Sequence, residues 1–136
     1  MMCPELFSEK KRSDRRKIGR CAEVLVREWY ENHGYEVLRQ NLYLGHDELD
    51  LVIRKEKVVR VVEVRSSARR DPDCLAWSVP GVKTRKLKRA VRKLIYSGLI
   101  EDAEALFIDL ALVRWRKDEP PEIRIWDSAL SLSPDD

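Results

Sequence analysis

Two apolar stretches of the chain carry acids where core residues would be expected. In LGHDELDLVIRKEKVVRVVEVRSS, residues 44–67, Glu48 and Asp50 interrupt the first stretch and Glu63 the second, with Arg65 just behind. DELDLVI and VVRVVEV read as β-strands and RKEK as the turn between them. Residues two apart on a strand share a face, so Glu48, Asp50 and Val52 are expected on one side and Leu49, Leu51 and Ile53 on the other. On the second strand Val59, Val61, Glu63 and Arg65 share a face. Pairing as a hairpin would set Asp50 and Glu63 at similar heights, and carboxylates would converge. Converging carboxylates repel and raise one another's pKa unless something offsets them. A divalent cation does so, and oxygen donors with open water positions suit Mg²⁺ or Mn²⁺ rather than zinc. The plainer alternative makes Glu48 and Glu63 edge-strand surface acids that simply alternate with apolar residues.

The elements that must position these groups follow from periodicity. Ile18, Ala22, Leu25 and Trp29 recur at helical spacing, and the helix should stop at ENHGY, where Gly34 suits a left-handed cap. YEVLRQN is a short strand ahead of the hairpin. SSARRDPDCLAWSVPG has no clear period and is long enough to be a functional loop or flap. A second helix is expected from Lys83 to Ser97, with Leu87, Ala90, Val91, Leu94 and Ile95 on one face and Gly98 as its stop. ALFIDLALVRW is a β-favouring strand, and EIRIWD its hairpin partner across RKDEPP. The order helix, three strands, helix, two strands predicts an α/β or α+β fold, a mixed β-sheet flanked by helices. Residues 1–17 read as a flexible basic arm, 18–128 as a single domain and 129–136 as an acidic tail.

With 136 residues, 43% hydrophobic and 38% charged, the chain can build one core without disulfides or a structural metal. No apolar run approaches the roughly 20 residues of a membrane span. The N-terminus lacks the apolar region of a secretory signal, so a cytoplasmic location is expected. Cys3, Cys21 and Cys74 are scattered and read as reduced bystanders. The net charge of +3 is unevenly spread. Lys10, Lys11, Arg12, Arg15, Arg16, Lys17 and Arg20 crowd one segment. Lys83, Arg85, Lys86, Lys88, Arg89, Arg92 and Lys93 crowd the second helix, while acids gather towards the C-terminus. Such clusters suit phosphate contacts that weaken steeply with salt, and no motif for reading base sequence accompanies them. The alternative is a basic face that only keeps the helix solvated. Trp77 reads as a core cap or a base-stacking residue, and His33 and His46 as surface residues.

The pattern of Asp50, Glu63 and Arg65 resembles D-x(n)-(D/E)-x-K, the core of the PD-(D/E)-x-K nucleases of the restriction-endonuclease-like fold. The wider chain resembles the YraN family of small bacterial proteins, which is related to Holliday-junction resolvases. GRCAE places Glu23 at the helix acid, and NLYLGHDELDLVI supplies Asn41, Glu48 and Asp50. VVEVRSS supplies Glu63, VPGVK supplies Val79 and Lys83, and FIDLAL supplies Asp109. The resemblance runs over about residues 18–115. It implies a restriction-endonuclease-like α/β domain acting on nucleic acid, DNA before RNA, with Asp50 and Glu63 as Mg²⁺ or Mn²⁺ ligands. It also implies Glu23 as a third acid, against a reading as a solvated helix acid. Glu48 is expected as an accessory acid or a structural one, the resemblance places Lys83 near the active face, and the basic cluster makes Arg85, Lys86, Lys88 and Arg89 the expected phosphate contacts. Resolvase-like relatives dimerise, so a homodimer is a further expectation, and no membrane role is expected.

Three departures stand out. Asp47 replaces a glycine and adds a fourth acid beside the site, Arg65 replaces the lysine, and Ser67 replaces an arginine. A lysine can lose its proton when buried; arginine, with a pKa above about 12, can orient water or stabilise charge but cannot act as a base. The alternative function is a non-catalytic nucleic-acid-binding module, or a protein-interaction module, that keeps the nuclease fold.

Overall fold

The computed structural model describes residues 12–67 and 81–132. In chain order the elements are α1 (Arg12–Asn32), β1 (Glu36–Leu44), β2 (Asp47–Lys55), β3 (Val58–Ser67), α2 (Gly81–Tyr96), β4 (Ala105–Arg116) and β5 (Glu119–Leu130). The five strands form one sheet in sequential order, antiparallel throughout except for the parallel pair β3–β4. This is the expected mixed sheet flanked by helices. α1 begins at Arg12, well before the apolar period that starts at Ile18, so part of the segment expected as a free arm is helical. The loop expected to be a flap, with Trp77 in it, lies outside the described residues. Among the described residues no helix is long and apolar enough to cross a membrane.

α1 presents Ala22, Leu25, Val26 and Tyr30 as a buried stripe at helical spacing. It ends where expected. Gly34 takes φ +89°, its N–H donates to Glu31 O, and the Tyr35 N–H reaches back to Tyr30 O. That pair of bonds satisfies carbonyls the last turn would otherwise leave bare. α2 buries Leu87, Ala90, Val91 and Leu94 on one side.

The sheet separates two cores. Leu51, Ile53, Val62, Ala111, Val113 and Trp115 pack under α1, whereas Leu49, Val52, Val59, Val61 and Ile108 pack with α2. β3 and β4 are therefore apolar on both faces, as strands with helices above and below must be. One expectation fails here. Leu49 does not share a side with Leu51 and Ile53; it sits with the α2 cluster beside Val52. Strict alternation breaks at Asp50. On the neighbouring strand Asn41, which falls between the pairs Gln40–Leu51 and Leu42–Leu49, adopts φ +51°. Asparagine tolerates this left-handed conformation better than most residues, and the local irregularity lets the pleat change sides.

Candidate functional site: an acidic cleft where two strands part

The β2–β3 ladder runs from Lys55–Val58 to Leu51–Val62 and stops there. Beyond that point β3 stays with β4, pairing Glu63 with Leu110 and continuing to Ser67, while β2 stays with β1. Asp50 and Glu63 are the next residue of each strand, so they stand where the two strands diverge. The hairpin expectation of similar heights is met, and the divergence supplies something the pattern alone did not: open space between the carboxylates. The Val64 N–H is not spent on β2's backbone; it donates to Asp50 Oδ2 at 2.9 Å. That bond fixes one oxygen of Asp50 against β3.

A cavity of about 250 Å³ occupies the gap, lined by Ala22 and Glu23 of α1, Asp50, Glu63, Val64, Arg65 and Ser66. Glu23, Asp50, Glu63 and Arg65 are thus brought to one place. Burial and then the Asp50 charge raise the Glu23 pKa above its ordinary value, while a side-chain hydrogen bond with Asn41 works against the rise. Asn41 thereby serves the site twice, since its backbone accommodates the irregular strand and its amide braces Glu23. Arg65 approaches Glu63 Oε1 with its Nε at 3.6 Å, an ion pair rather than a hydrogen bond. Among the described residues that Nε is shielded from water and has no hydrogen-bond acceptor.

Glu63 also lines a neighbouring cavity of about 160 Å³ with His46, Asp47, Glu48, Lys86 and Leu87. Glu48 belongs to this second space, not to the one holding Glu23 and Asp50. Its pKa is raised by burial and by Asp50. Asp47, expected as a fourth acid beside the site, does line this adjoining cavity, but its carboxylate is taken up by α2. Its carboxylate accepts from Arg89 Nε (2.9 Å) and Nη2 (2.6 Å) and from Lys93 Nζ (2.8 Å). These bonds hold it well below the usual carboxylate range and pin α2 onto β2.

The basic helix is therefore divided. Arg89 and Lys93 are occupied by Asp47, Lys86 reaches the cavity beside Glu63, and Arg85 is exposed. Lys88 is half-buried. Lys83 falls on the first turn of α2, with its side chain outside the described part. His33 is exposed and stacked on Trp29, and His46 is exposed at the smaller cavity's rim. Asp109 does not join the cleft. It is buried on another part of the α1 face, bonded to Tyr30 and Arg60. The sequence pattern did not single out Arg60, although a cation inside VVRVV and an acid inside FIDLAL are matching signals of a buried pair in nearby strands.

Among the described residues no three His, Cys, Asp or Glu side chains form a ready-made metal cage. Magnesium does not need one, since it keeps several waters and uses one or two carboxylates together with substrate phosphates. Hard oxygen donors in a cavity where Asp50 disfavours ionisation of Glu23 fit that kind of open site.

Among the described residues, a five-stranded mixed sheet between two helices, with carboxylates gathered where two of its strands part, defines an α/β protein with an acidic cleft. Residues 22–115 match the family described as Uncharacterised protein family UPF0102, and the chain belongs to that family. The YraN-type resemblance is thereby borne out. The UPF0102 protein of Parabacteroides distasonis is 38% identical over 74 residues, 54% of this chain and 59% of that one. The UPF0102 protein of Bacteroides thetaiotaomicron is 32% identical over 80 residues, 59% of this chain and 64% of that one. A relative from Chlorobium phaeobacteroides is 25% identical over 116 residues, 85% of this chain and 90% of its own. The matched part thus spans less than two thirds of the first two relatives.

Proposed function

We propose that the protein binds nucleic acid and hydrolyses phosphodiesters at the cleft between β2 and β3. The observation that carries the reading is the parting of the strands at Asp50 and Glu63, which brings both carboxylates into one cavity with Glu23 and Arg65. Asp50 and Glu63 would hold Mg²⁺ or Mn²⁺, with Glu23 as a third acid. The bound cation supplies Lewis-acid polarisation of a phosphoryl oxygen. Arg65 stands at the lysine position of the nuclease pattern and faces developing negative charge as a permanent cation. Lys86, at the adjoining cavity, and Arg85 face solvent where phosphates of a bound strand would run. The basic character of the helix favours DNA or RNA without sequence preference.

A second reading has its own observation. Arg65 cannot accept a proton, so the same cleft would also serve a protein that binds nucleic acid without cutting it. One experiment separates the two. Branched, single-stranded and duplex DNA are incubated with the protein and Mg²⁺ or Mn²⁺, alongside Asp50→Ala, Glu63→Ala and Arg65→Lys variants. Cleavage abolished by either alanine supports hydrolysis, with losses of about 10²-fold or more. Gain of cleavage in R65K alone identifies the arginine as what disables the cleft. Salt-sensitive binding without cleavage in any form supports the binding module, and no binding at low salt removes both readings.

A further inference from the structure

Asp109 belongs to the family motif but takes no part in the acidic cleft, and the place where it lies is itself a cavity. This third hollow, of about 480 Å³, opens on the α1 face near the helix C-terminus. Tyr30 follows Glu23 by roughly two helical turns, so the two cavities are spaced by about 10 Å along α1.

The floor is rigid. Asp109, 1% exposed, accepts from Tyr30 Oη (2.7 Å), Arg60 Nη1 (2.9 Å) and the Ser128 N–H (2.9 Å). Arg60 Nε in turn donates to Tyr35 Oη at 3.0 Å. Burial and the bond to Asp109 hold the Tyr30 hydroxyl far above its ordinary pKa, so it remains a donor. A buried ion pair is weak evidence for stability. What this one does is fix Tyr30, Tyr35 and Arg60 in place at the base of an open hollow. The order of the sheet puts Tyr35 and Lys55 towards the β1–β2 side and Ile123 and Ile125 on β5 at the other, with Trp29 contributed by α1. Lys55 is exposed, and its Nζ donates to His33 O at 3.1 Å. Asp127 is exposed on the β5 side.

We propose that this hollow is a nucleobase pocket: the ring lies between the aromatic wall of Tyr35 and the Trp29–His33 stack and the aliphatic wall of Ile123 and Ile125, Asp127 accepts from the base's amino group, and Lys55 meets the adjoining phosphate. The lining charges balance, Lys55 and Arg60 against Asp109 and Asp127, which suits a neutral planar ring better than a small ion. The volume falls within the roughly 300–1,000 Å³ of small-molecule sites. Stacking on aromatic side chains together with hydrogen bonds to a base edge is how unpaired nucleotides are held. A carboxylate is an acceptor only. It therefore favours guanine, adenine or cytosine, which carry amino donors, over thymine, whose single ring N–H lies between two carbonyls. The base can come from a free nucleotide or from an unpaired position in a strand. The pocket shares no residue with the Asp50 cleft, so it does not depend on hydrolysis there.

The test is an NMR titration of the full chain without metal, following the Ile123 and Ile125 methyls and the Trp29 indole. The ligands are dGMP, dTMP, a thymine oligonucleotide with one guanine, and the same oligonucleotide with an abasic position there. The expected result is movement of these signals with dGMP, binding about tenfold weaker for dTMP, and a similar loss in D127A. D127A changes an exposed side chain, and D50N, outside the pocket, should leave the titration unaltered. Response to the guanine oligonucleotide but neither to dGMP nor to the abasic strand assigns the base to a strand. Equal response to dGMP and dTMP, response unaffected by D127A, or no response of these signals to any ligand overturns the proposal.

Discussion

Glu23 shows how a single side chain can report the state of the cleft. Burial first, and the Asp50 charge second, lift its pKa above the ordinary 4.5. The folded protein therefore holds this proton to higher pH than the unfolded chain does. For a carboxyl raised on folding, stability is complete below the unfolded pKa and declines as pH rises through the folded one. Glu23→Gln removes that penalty while keeping a partner for Asn41. The variant should be more stable than the parent at pH 7, by about 1 kcal/mol at most because the group is partly solvated. The difference should close at about pH 4. Thermal melts at both pH values check this, and a variant less stable at pH 7 would contradict it. Arg65 is the other residue on which the proposed function turns, since an arginine cannot accept a proton.

At the scale of elements, Asp47 fastens α2 to the sheet. A carboxylate with three charge-assisted bonds to Arg89 and Lys93 clamps the helix above the end of β2. Its pKa is depressed, so its contribution is present above the ordinary 3.8 and is lost as pH falls towards the folded value. Asp47→Asn should cost about 1 kcal/mol at pH 7, because Arg89 and Lys93 are exposed enough to find water instead. The deficit should shrink as the melt is moved below pH 3.8, and a constant deficit would show that the pairing is not electrostatic. The α1 end is equally determined by local chemistry: Gly34 takes the left-handed turn, and Tyr35 then leads into β1.

For the whole molecule, the sheet makes two cores into one cooperative unit. Val61 and Val62, adjacent on β3, are buried on opposite faces, so neither helix can leave without exposing a strand that the other also covers. Leu51→Ala under α1 and Leu94→Ala on α2 should each cost about 2–5 kcal/mol, the usual range for a leucine cavity. In both variants urea unfolding followed by circular dichroism and by tryptophan fluorescence should give coincident transitions. Transitions that separate in L94A would show that the α2 side unfolds on its own.

Much of this protein was legible in one dimension. Apolar spacing at 3.6 and 2 residues, Gly34 after the first helix and the short RKEK turn determined the order of elements, because those signals act over a few residues. The same pattern named Asp50 and Glu63 as neighbours across a hairpin. Strand pairing beyond the hairpin decided the rest. Only the parallel β3–β4 contact, joined across the chain between them, draws β3 away from β2 at Glu63 and opens the cleft. Only the docking of α2 brings Arg89 and Lys93 onto the Asp47 carboxylate. And only the folded sheet brings Arg60 to Asp109, separated by 49 positions. A charge in a sequence shows its sign; which opposite charge it meets depends on distances that local propensity does not encode.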